Sequence, residues 1–311
     1  WSIVSQVPYR SAKFEDTVFR ERLREVVMAE SFDIVWVHFL NMLPYLHDPV
    51  IREELGGATV VLDQHNDMEQ FWAPNQDHGS VLRRVWARWN INKIRRLRED
   101  ILSTCDVILS VSEEDAQGTR RVAPSNVPVW VVPNGVDLDH FEFRSPPSPD
   151  STSDRILFVG SMDVEMNVEA VTWFVEDIFP KIKNCIPGVS FDIVGRDPTS
   201  AVQALENEEG VRVTGRVDNL QPYYDQAAVA VVPSRLGGGT KLKVPEAMAS
   251  GVPVVATSTG AQGLDIEDKE HVLIADQERT FADSVVRLLR NPDESRRIVQ
   301  AARTRVEEKY S

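Results

Sequence analysis

The chain has 311 residues, 42% of them hydrophobic, more than one comfortable core holds and suited to two domains. A net charge of -14 leaves no excess of Lys and Arg to neutralise phosphates, which excludes general nucleic-acid binding and points to a small or uncharged partner. Cys105 and Cys185 stand apart with no paired-cysteine metal motif, and no apolar run reaches bilayer-spanning length, so free, buried thiols in a reducing compartment and a cytoplasmic location are expected.

Short β-branched runs alternate with longer helical patterns, the mark of a parallel α/β architecture. In the first half the pattern predicts strands at Asp33–His38, Thr59–Asp63, Asp106–Val111 and Val129–Val132. Helices are expected at Phe14–Glu30, Asp48–Glu54, Val81–Leu102 and Glu113–Arg121. Trp1 leads into a loop and a helix instead of a strand and a Gly-rich turn, so this domain, residues 1–144, reads as incomplete. On Val81–Leu102, Leu82, Val85, Trp86, Trp89, Leu97 and Ile101 gather on one side and Arg84, Arg88, Arg95 and Arg98 on the other. Such a helix either packs on its sheet with a solvated outer face or makes a peripheral contact with the anionic inner face of a membrane.

Residues 145–153, SPPSPDSTS, have little to bury and two consecutive prolines, and read as a linker. The second half, residues 154–292, has a cleaner pattern. Strands are predicted at Arg155–Gly160, Ser190–Gly195, Val211–Thr214, Val229–Pro233, Pro253–Ala256 and His271–Ala275. Helices fall at Asn167–Asn184, Ser200–Glu206, Asn219–Gln226, Val244–Ser250 and Glu278–Leu289. A last helix, Glu294–Glu308 within 293–311, is expected to pack back toward the first domain. Most strands are continuously apolar, the pattern of a sheet covered on both faces.

In open parallel sheets a ligand sits beyond the carboxyl ends of the strands. There the chain places Gly160–Ser161, Gly195–Arg196, Gly215–Arg216 and the run Gly237–Gly238–Gly239. Glycine lets backbone N–H groups approach a ligand, and a helix N-terminus behind such a loop favours a phosphate. Thr240, Lys241 and Lys243 add hydroxyl and ammonium donors at the start of a helix, and Pro245 places Glu246 in its first turn. Taken alone, Glu246 could serve only the helix dipole and the two lysines could be a solvated pair. The loop is not GxxxxGK[ST], and no GxGxxG follows a strand, which disfavours a dinucleotide dehydrogenase.

Pro233–Leu264, PSRLGGGTKLKVPEAMASGVPVVATSTGAQGL, resembles the signature of the retaining group one (family four) glycosyltransferases; Pro133–Asp137 (PNGVD) and Asp106–Ser112 are similar to further elements of that family. The resemblance covers essentially the whole chain and implies a GT-B fold of two Rossmann-like parallel-sheet domains facing a cleft. It also implies a nucleoside diphosphate sugar, a UDP-sugar by preference, held mainly by the C-terminal domain, and a hexosyl or related sugar moved to a glycan or lipid-linked saccharide without a metal or other cofactor. Glu246 matches the second Glu of the family's Glu-x7-Glu motif and would hold the ribose diol. His65, in VVLDQHND, would contact the donor sugar at the reaction centre, unless it is a structural loop residue.

Three departures stand out. Gly238 occupies the place of the motif's first Glu, and Ser161 and Met166 fall where the family's phosphate-binding Arg and Lys would lie. Lys241 and Lys243 are therefore expected to take over diphosphate neutralisation, with Lys243 acting in catalysis beside His65. Asp137 and Asp139 form a DLD triplet that reads as loop solvation, not as a metal site. A sugar-nucleotide epimerase of the same fold and a weakly catalytic nucleotide-sugar-binding scaffold are the alternative readings.

Overall fold

The computed structural model describes residues 16–65, 89, 102–143 and 154–311. Two compact units divide the chain at Pro133 and Asn134. The predicted helix 81–102 lies outside the described residues apart from Trp89 and Leu102, and the predicted linker 145–153 lies outside them entirely.

In the first unit, helix α1 (Thr17–Ala29) starts where the Asp16 carboxylate accepts from the N–H groups of Val18 and Phe19. Strand β1 (Ile34–His38) runs into a 3₁₀ segment, Leu40–His47, and helix α2 (Pro49–Glu54), which Asp48 caps in the same way. Strands β2 (Thr59–Gln64) and β3 (Val107–Ser110), helix α3 (Glu113–Arg120) and strand β4 (Val129–Val131) follow. The four strands are parallel in the order β1-β2-β3-β4. Ile34 and Trp36 of β1, an edge strand among the described residues, are more than half exposed.

The second unit holds strands β5 (Arg155–Val159), β6 (Ser190–Val194), β7 (Val211–Gly215), β8 (Val229–Val232), β9 (Val254–Ala256) and β10 (Leu273–Ile274). They form one parallel sheet in the order β10-β9-β8-β5-β6-β7. Continuous apolarity has its expected meaning here: because successive side chains point to opposite faces, Ile156 and Phe158 enter one core while Leu157 and Val159 pack in the other. Val229 and Val231 divide from Ala230 and Val232 in the same way.

The helices of this unit are α4 (Glu165–Trp173), α5 (Phe179–Cys185), α6 (Ser200–Ala204), α7 (Gln221–Gln226), α8 (Lys243–Ala249), α9 (Glu278–Arg290) and α10 (Pro292–Lys309). The pattern over 167–184 predicts one helix. Instead a π-helical segment, Phe174–Ile178, separates α4 from α5, just where Pro180 removes a backbone donor from the helical ladder.

Asn134–Phe141, read from sequence as part of the first domain, belongs to the second unit. The Val136 N–H donates to the Tyr310 carbonyl at 2.6 Å, and Phe141 meets Tyr224 edge-on at 5.8 Å. The buried face of α10 enters the second unit's own cores through Ile298, Ala302 and Val306. Of the two free thiols, both expected to be buried, only Cys105 is; Cys185 is exposed. No helix among the described residues is long and apolar enough to cross a membrane.

Phe191 is fully buried, with its ring 4.5 Å from Phe174 and 6.0 Å from Phe179. Truncation there leaves a cavity among side chains that cannot collapse into it. Phe191→Ala should destabilise the second unit by about 3–5 kcal/mol in urea denaturation of the whole chain, and a loss below about 1 kcal/mol would mean the aromatic cluster is not its core.

Candidate functional site

The carboxyl ends of β5, β6 and β8 converge in the second unit, and two glycines make the convergence possible. At Gly195 a Cβ would stand 1.7 Å from the Gly160 carbonyl oxygen, so only glycine lets the turns after β5 and β6 close on each other. Gly237 has φ +94 and packs so tightly on Met166 that a Cβ would meet its sulfur at 1.9 Å. The sulfur at position 166 thus fills space against the glycine loop.

Lys243 opens α8, and its stem shares an apolar cavity with Leu157, Val159 and Tyr224. Its ammonium donates to Asn167 Oδ1 at 2.9 Å and stands 3.9 Å from the Phe158 ring centroid. It also lies so close to Gly160 that a Cβ there would be 3.0 Å from Nζ. Burial pushes its pKa down to about 7; the Lys241 charge lowers it further, while Glu246 opposes the shift. Asn167 bridges the groups, because its Nδ2 donates to the Ser161 carbonyl at 2.9 Å. Ser161 Oγ in turn accepts from Arg196 Nε at 3.1 Å.

Glu246 lies in the first turn of α8, half-buried. Burial raises its pKa, opposed by the Tyr224 hydroxyl and by the charges of Lys243 and His140. Tyr224 donates to Oε2 at 3.2 Å, and its own pKa is pushed well up, first by burial and then by the Glu246 charge. Lys241 donates to the carbonyls of Gly238 and Gly239, each at 3.0 Å, and so ties down the glycine loop. Thr240 Oγ1 accepts from Asn134 Nδ2 at 2.9 Å.

The structure therefore gathers Gly160, Ser161, Arg196, Gly238, Gly239, Thr240, Lys241, Lys243 and Glu246 along one sheet edge. Gly215 joins them through its carbonyl, which accepts from the Gly195 N–H, whereas the Arg216 side chain is exposed. Asn167 and Tyr224 were missed in sequence. A helical Asn and a Tyr in an ordinary polar helix carry no signal of their own. Asp137 and Asp139 of the DLD triplet are exposed, and Asp137 Oδ1 accepts from the N–H groups of Asp139 and His140.

His65 lies in the first unit, just past the end of β2. Its Nε2 is 3.2 Å from His38 Nδ1 and 3.5 Å from Asp63 Oδ2. His38 and Asp63 received no role from sequence, since they are 25 residues apart there and become neighbours only through the β1–β2 register.

Residues 153–291 match the family described as Glycosyl transferases group 1, and residues 3–140 match Glycosyltransferase Family 4. The chain is 24% identical over 302 residues to an uncharacterized 44.6 kDa protein in the cps region of Klebsiella pneumoniae, covering 94% of this chain and 74% of that protein. It is 31% identical over 170 residues to a phosphatidyl-myo-inositol mannosyltransferase of Mycobacterium leprae (strain TN), spanning 51% of this chain and 44% of that relative. Among solved structures, Anabaena Alr3699/HepE in complex with UDP and glucose superposes with a TM-score of 0.68 at 14% identity, over 94% of this chain and 77% of that one. With both halves matched and two parallel α/β sheets in place, the chain belongs to the group 1 glycosyltransferases and has the GT-B fold.

Proposed function

We propose that this chain transfers a hexosyl or related sugar from a nucleoside diphosphate sugar, UDP-linked by preference, to a glycan or lipid-linked saccharide, with retention at the anomeric carbon. The observation that carries the reading is the Lys243 ammonium, drawn out of water beside the Gly160 turn with one neutral hydrogen-bond partner, Asn167. A cation so placed has no carboxylate in direct contact, only the field of Glu246, and the departing diphosphate would supply a bonded counter-anion. The glycine loop at 237–239 would offer its N–H groups to the same oxygens. Lys241 would act by holding that loop in shape while adding positive potential.

Glu246 would grip the ribose. Tyr224 engages Oε2, and a carboxylate has lone pairs for two further hydroxyls, which suits a vicinal diol. Ser161, Arg196, Gly215 and Arg216 would line the remainder of the donor site, and His65 would face the donor sugar. Further support comes from a relative whose name is that of a mannosyltransferase and from a structural neighbour holding UDP and glucose. The helix 81–102 would bring the enzyme to an anionic membrane face when the acceptor is lipid-linked. The stereochemistry of the product tests the mechanism directly, since an inverted anomeric centre would overturn it.

The Lys243 charge in this proposal has a pH signature. Lys243 binds its proton less tightly folded, at about 7, than its ordinary 10.5, so between those values the unfolded chain carries the extra proton and stability rises with pH. Lys243→Met should therefore be more stable than the parent near pH 6.5, with the difference shrinking toward pH 10. At pH 8, UDP binding should draw a proton onto Lys243, seen as a buffer-dependent heat in titration calorimetry that Lys243→Met abolishes. The same variant should lower kcat by about 100- to 1000-fold. Parent-like proton uptake and turnover would remove Lys243 from the donor site.

Because lysine and backbone dipoles stabilise the leaving group in this reading, transfer should persist in excess EDTA. Loss of turnover on chelation, restored by a divalent cation, would contradict it. Incubating donor without acceptor separates a transferase from an epimerase, which would release an altered nucleotide sugar.

A further inference from the structure

The carboxyl ends of β1 and β2 bring together three side chains with metal-ligand chemistry, and we propose that His38, Asp63 and His65 bind a zinc-type divalent cation. The register pairs His38 with Asp63, and His65 lies two residues beyond Asp63, where strand alternation returns side chains to the same face. The same three atoms define every edge of a triangle. His38 Nδ1 lies 3.2 Å from His65 Nε2 and 3.2 Å from Asp63 Oδ2, and His65 Nε2 lies 3.5 Å from Asp63 Oδ2.

Those lengths match a specific geometry. Zinc bonds to imidazole nitrogen and carboxylate oxygen are about 2.0–2.2 Å, and the edge of a tetrahedron is about 1.6 times its centre-to-corner distance, so bound ligand atoms stand about 3.3–3.6 Å apart. Two neutral imidazoles and one carboxylate provide the donor set, and the fourth corner would face water: the His38 side chain is 58% exposed and that of His65 31%. The carboxylate is held in place, because Trp36 Nε1 donates to Asp63 Oδ2 at 3.2 Å. Phe39 packs against the cluster. This bulky residue has φ 68, a left-handed conformation that costs energy without glycine, and its ring centroid lies 4.8 Å from that of His65. The strain sits where the chain leaves β1 beside the cluster.

A cation at this site would occupy Nε2 of His65, the nitrogen nearest its two neighbours, and so would compete with any contact between that nitrogen and a donor sugar. The inference does not rest on the transferase reading, and its test uses no donor. Titrating Co²⁺ into the chelator-stripped full chain should give one equivalent with the intense visible bands of tetrahedral coordination, which Zn²⁺ then displaces. His38→Ala and Asp63→Asn should each weaken Co²⁺ affinity at least 10-fold, while parent-like circular dichroism spectra and urea denaturation curves report that both variants are folded. Absence of tetrahedral bands in the parent, or equal affinity in parent and both folded variants, would overturn the assignment and leave a hydrogen-bonded His–Asp–His network.

Discussion

A half-buried lysine amine at the carboxyl ends of a parallel sheet is the constraint around which the second unit's candidate site is organised. Ammonium groups keep to solvent unless something replaces their hydration, and at Lys243 the replacement is slight: the Asn167 amide oxygen, the face of Phe158 and the field of Glu246. To seat the group there, the turn after β5 must carry no side chain at Gly160, and the turn after β6 must lie against it, which Gly195 alone allows. Asn167 faces both ways, donating to the Ser161 carbonyl and accepting from the ammonium, and thereby locks α4 to the turn it follows. Turn, helix and lysine are mutually dependent.

Much of this was legible in the residues. The strands of the second unit are short apolar runs because both faces are buried, and the period-2 division of β5 and β8 between two cores follows from that pattern alone. The glycine loop and the first-turn position of Glu246 were equally readable, from a triple glycine and a proline that tolerates only the start of a helix. Illegible were the groups whose role depends on another element's approach. Asn167 looks like any polar residue on a helix until α8 delivers an ammonium to it, and Tyr224 like any core aromatic until Glu246 lies within 3.2 Å. His38 belongs with Asp63 only once β1 and β2 are in register. The company that Asn134–Phe141 keeps was illegible for a similar reason, since PNGVD shows nothing of the Tyr310 carbonyl, which arrives from the far end of the chain.

The departures from the family pattern acquire a physical logic in this arrangement. The resemblance places Met166 and Ser161 where cationic side chains would stand, and Gly238 where a carboxylate would. Here a thioether packs against Gly237 and fills the volume, and the lysine of the proposed donor site stands on α8. What stabilises a departing diphosphate is the potential at its oxygens, which depends on where a cation sits and how dry its surroundings are, not on which strand or helix supplied it. In the proposed reading, a charge at Lys243 in place of one at the β5 turn has a consequence that a surface arginine would not have. Arginine keeps its proton at any physiological pH, whereas a half-enclosed lysine with a pKa near 7 is partly neutral until an anion arrives. In the proposed reading, the donor site is therefore charged most fully when it is occupied, which couples the proton on Lys243 to the phosphates it would neutralise.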